Sequence, residues 1–92
     1  MKDKPMHEAS LMSSLMRQIE TVASAEGAAQ VVSVSVWLGA LSHMSEQHFA
    51  DHFSHASKGT IAEGARLHIT LSQDIRDTDA QLIRLESVEV DG

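Results

Sequence analysis

The stretch Gln30-Val31-Val32-Ser33-Val34-Ser35-Val36-Trp37-Leu38-Gly39-Ala40-Leu41 sets the fold class of this chain. Along it the residues follow a period of two, which is typical of a β-strand with two different faces. Branched side chains favour such a pleated, half-buried surface. The alternation predicts one face formed by Val32, Val34, Val36 and Leu38, and a second face formed by Val31, Ser33, Ser35 and Trp37.

A helical pattern precedes this strand, from Ser10 to about Ala25. Its hydrophobic residues recur at helical spacing and predict one buried side, formed by Leu11, Leu15, Ile19 and Val22. Gly27 provides a stop, because a helix end often needs a residue with positive φ. Residues 1–5 are polar and end at Pro5, so we expect them to form a flexible lead-in.

A second helix is predicted to follow Ser45, which can cap its first turn. Phe49 and Phe53 form its inward side, and Gly59 ends it. This helix therefore separates the first predicted strand from the next one.

Two more strands are predicted after the second helix, over Ala65 to Leu71 and Leu82 to Val90. Residues 73–79 between them contain three aspartates and a threonine, a composition typical of a turn. The inward face of the last strand changes part-way, which indicates a bulge near Glu86–Ser87. The short connection favours an antiparallel hairpin between these two strands.

The element order α-β-α-β-β predicts an α+β domain that spans residues 1–92. A strand–helix–strand crossover usually leaves its strands parallel, so the three-stranded sheet should be mixed. Two helices on one face of this sheet make a two-layer α/β sandwich. The other face must contact water or a partner, and a bare sheet edge could pair with a second copy in a homodimer.

The composition excludes several classes of function. The formal charge is −6 and the seven Lys and Arg residues are scattered, which argues against nucleic-acid binding. The absence of cysteine excludes disulfides and thiolate sites. There is no apolar run of the roughly 18 residues that a membrane span needs and no secretion signal, so we expect a cytoplasmic protein. No nucleophile motif or phosphate-binding loop is present, and we assign no catalytic residues.

Histidines are the main candidates for metal chemistry, and the chain has six. His48, His52 and His55 lie on one side of the second helix, with Asp51 between them. Imidazoles on successive turns could bind Zn(II), Ni(II) or Cu(II). Three interpretations stay open for this row: a metal site, a contact surface for a partner, or an ordinary solvated helix face.

Four stretches carry a likeness to a known family. They are Met6-His7-Glu8-Ala9-Ser10-Leu11, Val34-Ser35-Val36-Trp37-Leu38-Gly39-Ala40-Leu41-Ser42, Lys58-Gly59-Thr60-Ile61-Ala62-Glu63-Gly64-Ala65 and Ile83-Arg84-Leu85-Glu86-Ser87-Val88-Glu89-Val90. In this order they resemble segments of the HypA/HybF nickel chaperones of hydrogenase maturation. The resemblance implies a non-enzymatic accessory protein that helps insert Ni(II) into NiFe hydrogenase. It also implies two partners, the hydrogenase large-subunit precursor and the maturation GTPase.

The resemblance assigns the nickel site to His7, with Glu8 beside it. In the family, the terminal amine, a backbone amide nitrogen and the imidazole of the Met-His start form a planar set, which suits Ni(II). In this chain Met6 is internal, so its nitrogen is an amide. The terminal amine is therefore lost as a ligand unless translation begins at Met6.

A second departure concerns zinc. The family carries a zinc ribbon with two Cys-x-x-Cys pairs between its last two strands, whereas residues 73–79 form a short turn here without cysteine. We therefore expect no zinc. An alternative function stays open: a metal-free adaptor of the maturation machinery that kept the fold, with Trp37 and the histidine row as its binding face.

Overall fold

The computed structural model describes residues 4–91, with side chains described from Ser10 onward. It contains α1 (Lys4–Ala25), β1 (Gln30–Leu38), α2 (Glu46–Ser57), β2 (Arg66–Leu71) and β3 (Ile83–Asp91). The element order and the mixed three-stranded sheet agree with the prediction, and both helices pack on one face of the sheet. Within residues 4–91, no helix has the length and apolar character to cross a membrane.

α1 begins at Lys4, well before the predicted start at Ser10. Lys4 and Pro5 of the predicted lead-in lie in the first turn of α1, and residues 1–3 of it lie outside the described part of the structure. Proline suits the first turn of a helix, because the N–H that it lacks would have no acceptor within the helix. Val22 was predicted to face inward but is 39% exposed, while α1 buries Met12, Leu15, Met16, Ile19 and Ala23.

β1 is the central strand, and the sheet order is β2-β1-β3. It pairs in parallel with β2 and antiparallel with β3. The predicted hairpin between the last two strands is wrong, because these strands lie on opposite sides of β1. The crossover through α2 fills one side of β1, and residues 72–82 then carry the chain past the end of β1 to its other side.

The crossing segment, residues 72–82, packs directly on Gly39. The N–H of Gly39 donates to the carbonyl of Leu82 at 2.9 Å, and the N–H of Leu41 donates to the carbonyl of Ala80 at 2.7 Å. A Cβ at position 39 would lie 2.2 Å from the carbonyl oxygen of Ala80. A glycine at this position is what allows the two backbones to approach so closely.

A bulge in β3 confirms the prediction near Glu86–Ser87. Ser87 pairs with Ser35 and Leu85 pairs with Val36, so Glu86 is the extra residue between the two pairs. This extra residue lets β3 keep hydrophobic side chains on the core face along its whole length.

A second bulge, in β1, was not predicted. Val31 pairs with Val90 and Ser33 pairs with Glu89, which leaves Val32 as the extra residue. Because of this insertion Val31 is fully buried while Val32 is 37% exposed. The predicted faces of these two valines are therefore reversed, whereas the predicted faces hold from Ser33 onward.

The core lies between the sheet and the two helices. β1 contributes Val31, Val34, Val36 and Leu38, and α2 contributes Phe49 and Phe53. The two phenylalanine rings are stacked with their centres 6.5 Å apart. α2 begins as predicted, because the Ser45 hydroxyl accepts the N–H of His48 at 3.1 Å. The histidine row is thus carried by a helix that is fixed at its start and along its buried side.

Candidate metal centre

His7 and Glu8 lie within α1, and the placement of their side chains is outside the described part of the structure. His7 is the fourth residue of α1. The fourth residue of a helix is the first whose N–H has an acceptor in that helix, as Phe49 of α2 shows by donating to the carbonyl of Ser45 at 2.9 Å. An amide nitrogen that ligates a metal cannot also donate to a carbonyl. A role for the backbone nitrogen of His7 therefore requires the first turn of α1 to open.

His48 and His52 lie close together on α2. Their ring centres are 4.6 Å apart, and the ring planes are inclined by 45°. His48 is exposed and His52 is half-buried. The spacing of four residues puts the two side chains on the same side of adjacent turns.

His55 and Asp51 have other contacts. Nδ1 of His55 lies 3.1 Å from the backbone carbonyl oxygen of Asp51, so this ring is turned towards its own helix. The carboxylate of Asp51 accepts a hydrogen bond from the side chain of Gln47 at 3.0 Å. From Ser10 to Asp91, no three His, Asp or Glu side chains form a group that could hold a metal ion. Within the predicted row, the structure thus brings the rings of His48 and His52 into contact, while His55 and Asp51 contact groups of their own helix.

An open groove separates α1 from the end of α2. It is lined by Met12, Ser13, Met16, His52, His55 and Ala56. His52, which is half-buried, and His55, which is exposed, both face this groove.

Trp37 lies on the sheet face that carries no helix. It is only 9% exposed, because Arg84 covers its ring with the guanidinium carbon 4.0 Å from the ring centre. Arg84 also donates to a carboxylate oxygen of Asp79 at 2.8 Å. Sequence reasoning missed Arg84, since it meets Trp37 only through the pairing of β3 with β1.

The structure does not bring Trp37 and the histidine row together. Val36 points into the core that Phe49 and Phe53 also enter, so α2 lies on the side of the sheet opposite to Trp37. The two features belong to different surfaces of the protein, and one contact face cannot contain both.

Comparisons with known proteins agree with this fold. Residues 6–76 match the family model described as hydrogenase/urease nickel incorporation, metallochaperone, hypA. The hydrogenase maturation factor HypA of Archaeoglobus fulgidus is 42% identical over 72 residues, which are 77% of this chain and 66% of that protein. HybF of Salmonella typhimurium is 41% identical over 64 residues, 70% of this chain and 57% of that protein. The chain thus spans less than two thirds of the length of these relatives.

Two solved structures share the fold. The solution structure of the Ni metallochaperone HypA from Helicobacter pylori has a TM-score of 0.72 and 20% identity, and the match covers 89% of this chain and 95% of that one. A second HypA solution structure has a TM-score of 0.73 and 23% identity, with 92% and 96% covered. Since the family model matches well over half of the residues, from residue 6 to residue 76, the chain belongs to the HypA family.

Proposed function

We propose that this chain is an accessory protein that carries Ni(II) as cargo during the maturation of NiFe hydrogenase. The observation that supports this most directly is the family match, which begins at residue 6. The stretch Met6-His7-Glu8 is therefore the first part of the chain that corresponds to the family. The similar curated proteins are hydrogenase maturation factors.

In this proposal the imidazole of His7 and its backbone nitrogen are the protein's nickel ligands, and Glu8 lies beside them. Ni(II) accepts a planar, nitrogen-rich set of ligands. With five residues ahead of Met6 the chain lacks an amine at that position, and a third nitrogen must come from elsewhere. A chain that begins at Met6 supplies amine, amide and imidazole together and should bind nickel more tightly.

The proposal has further parts that follow from the family. The partners are the hydrogenase large-subunit precursor and the maturation GTPase, and the site of action is the cytoplasm. Nickel is transferred without a covalent bond being made or broken, so the protein acts as a carrier and not as an enzyme. With no cysteine to supply thiolates, zinc is not part of the proposed function.

Calorimetric titration with Ni(II) tests the nickel site. Four proteins are compared: the full chain, the chain that begins at Met6, and the His7→Ala variant of each. We expect the chain that begins at Met6 to bind one Ni(II) more tightly than the full chain, and His7→Ala to abolish that difference. His68→Ala is the matched control, because His68 is an exposed histidine on β2. Equal affinity of the chain beginning at Met6 and its His7→Ala variant would overturn the proposal.

A metal-free adaptor is the second candidate, and exposed hydrophobic side chains favour it. Leu71, Ile75 and Leu82 are 46%, 63% and 47% exposed around the crossing segment, and apolar surface of this kind often marks a contact with another protein. In the same proposal Trp37 is a partner-binding residue. A partner can contact the Trp37 ring only if Arg84 moves away from it. Capture of the large-subunit precursor should then survive His7→Ala and fail with Ile75→Ser or Trp37→Ala. Loss of capture with His7→Ala alone would instead support the nickel carrier.

A further inference from the structure

We propose that His48 and His52 form a two-imidazole binding site for a late first-row divalent cation, separate from the site at His7. This inference rests on α2 alone and does not depend on the proposed function. Two histidines four residues apart on a helix are an established arrangement for holding a metal on one side of that helix. The pair has that spacing, and the two rings are in contact.

The distance between the two ring centres is suitable for a metal ion that both imidazoles coordinate. A metal bonded at about 2.1 Å to a ring nitrogen lies about 3.2 Å from the ring centre, since the nitrogen is about 1.1 Å from that centre. Two such ligands at a right angle have ring centres about 4.5 Å apart, and at a tetrahedral angle about 5.2 Å. The observed separation is 4.6 Å. This separation allows the two rings to occupy neighbouring positions in square-planar or octahedral coordination, which Ni(II) and Cu(II) favour over tetrahedral geometry, once each ring turns one nitrogen towards the metal.

The inclination of the rings supports the same conclusion. A coordinating imidazole keeps the metal in the plane of its own ring, so a shared metal must lie in both planes. Planes inclined by 45° intersect and contain such points. The planes of two parallel stacked rings do not intersect, so no metal position could lie in both planes.

α2 holds the pair in position before a metal binds. The N–H of His48 is bonded to the capping Ser45, and Phe49, next to His48, is fully buried. His52 is half-buried beside α1, next to the buried Phe53. The backbone positions of both ligands are therefore fixed by the core, and only side-chain rotations remain.

The protein supplies two ligands at this site, and water completes the coordination. His55 faces the backbone of Asp51, and the carboxylate of Asp51 is bonded to Gln47. This agrees with the lack of a group of three His, Asp or Glu ligands between Ser10 and Asp91. Open coordination positions make the bound ion exchangeable, which suits transient binding and not permanent storage.

The test is a titration with Ni(II) alone, in the full chain that carries His7→Ala so that the amino-terminal site is removed. His48→Ala and His52→Ala should each weaken Ni(II) binding about tenfold or more. Each substitution leaves a single imidazole, so the gain in affinity from a second ligand on the same helix is lost. His55→Ala is the matched control on the same row and should leave the affinity unchanged. Melting curves of each variant with and without Ni(II) provide a second readout, since a ligand that binds only the folded chain raises Tm.

A double variant separates chelation from the number of histidines. In the His7→Ala background, His52→Ala with Ser54→His keeps the same number of histidines as the parent but removes the spacing of four, and Ser54 is exposed. It should behave like His52→Ala, with weakened binding and no nickel-dependent rise in Tm. The proposal is overturned if this double variant binds as tightly as the His7→Ala parent, or if His55→Ala weakens binding as much as His52→Ala does. Circular dichroism without metal verifies that each exposed substitution leaves the fold intact.

Discussion

The guanidinium carbon of Arg84 lies 4.0 Å from the centre of the Trp37 ring. The same guanidinium donates to Asp79 at 2.8 Å, so Arg84 joins β1, β3 and the crossing segment at a single point. Trp37 is the only tryptophan of the chain. The tryptophan fluorescence of the protein therefore comes from this one position.

Arg84→Ala should destabilise the protein and expose Trp37. A cation over an aromatic ring contributes about 0.5–2 kcal/mol, and the ion pair with Asp79 adds little because both side chains are partly exposed. We expect a loss of about 1 kcal/mol in the free energy of unfolding, together with a shift of the tryptophan emission to longer wavelength. Urea denaturation and emission spectra measure both.

Arg66→Ala is the control for this substitution, because Arg66 is exposed on the same sheet face and pairs with Ser33, not with Trp37. It should change neither stability nor emission. If Arg66→Ala and Arg84→Ala give the same emission spectrum, Arg84 does not cover the tryptophan.

Gly39→Ala should be among the most damaging single-methyl additions to this protein. The added Cβ would lie 2.2 Å from the Ala80 carbonyl oxygen and 2.5 Å from its carbonyl carbon, and neither is a flexible side-chain atom. We expect a loss of about 3 kcal/mol or more in thermal or urea unfolding, at the upper end of the usual cost of overpacking.

Gly64→Ala provides the comparison for that loss. Gly64 has a φ of +81° and no atom within 4 Å of an added Cβ, so its substitution costs only the strain of a left-handed backbone, about 1 kcal/mol. A loss at position 64 as large as the loss at position 39 would contradict the close approach of the crossing segment.

Val31→Ala and Val32→Ala form a matched pair that tests the bulge in β1. Val31 is fully buried and Val32 is 37% exposed. We expect Val31→Ala to cost about 2 kcal/mol from lost burial and an unfilled cavity, and Val32→Ala to cost about 0.5 kcal/mol. Equilibrium unfolding of the two variants measures this difference. Simple alternation along the strand predicts the opposite order, so a larger loss at Val32 would mean that the bulge is absent.

Ser45→Ala should cost about 1 kcal/mol, because it removes the hydroxyl that accepts the His48 N–H at the start of α2. Ser54→Ala makes the same chemical change at an exposed position inside that helix and should be neutral or slightly stabilising, since alanine favours the helix. Helical circular dichroism during thermal unfolding distinguishes the two. Equal melting temperatures of Ser45→Ala and Ser54→Ala would exclude a capping role for Ser45. Weaker nickel binding by Ser45→Ala would further indicate that the start of α2 positions His48.

The spacing of residues in the sequence predicted some features of the candidate sites but not others. The spacing of His48, His52 and His55 predicted that the three rings share one side of a helix, and that much follows from helix geometry alone. Whether two or three rings converge depends on individual side-chain contacts, such as the one between His55 and the Asp51 carbonyl. The opposite placement of Trp37 and this row depends on which face of the sheet receives the helices, and spacing within one element does not specify that.

The sequence by itself determined the five elements, the cap at Ser45, the bulge at Glu86 and the family likeness, because each depends on residues near one another in the chain. Only the tertiary structure decided that β3 pairs with β1 instead of β2, that Val31 and not Val32 is buried, and that Arg84 covers Trp37. Each of these follows from β1 being the central strand. The chain reaches the far side of β1 by passing close to Gly39 at Ala80, and these two residues are far apart in sequence. A local hydrophobic pattern records which side chains avoid water, but it does not record which distant strand will supply the hydrogen bonds.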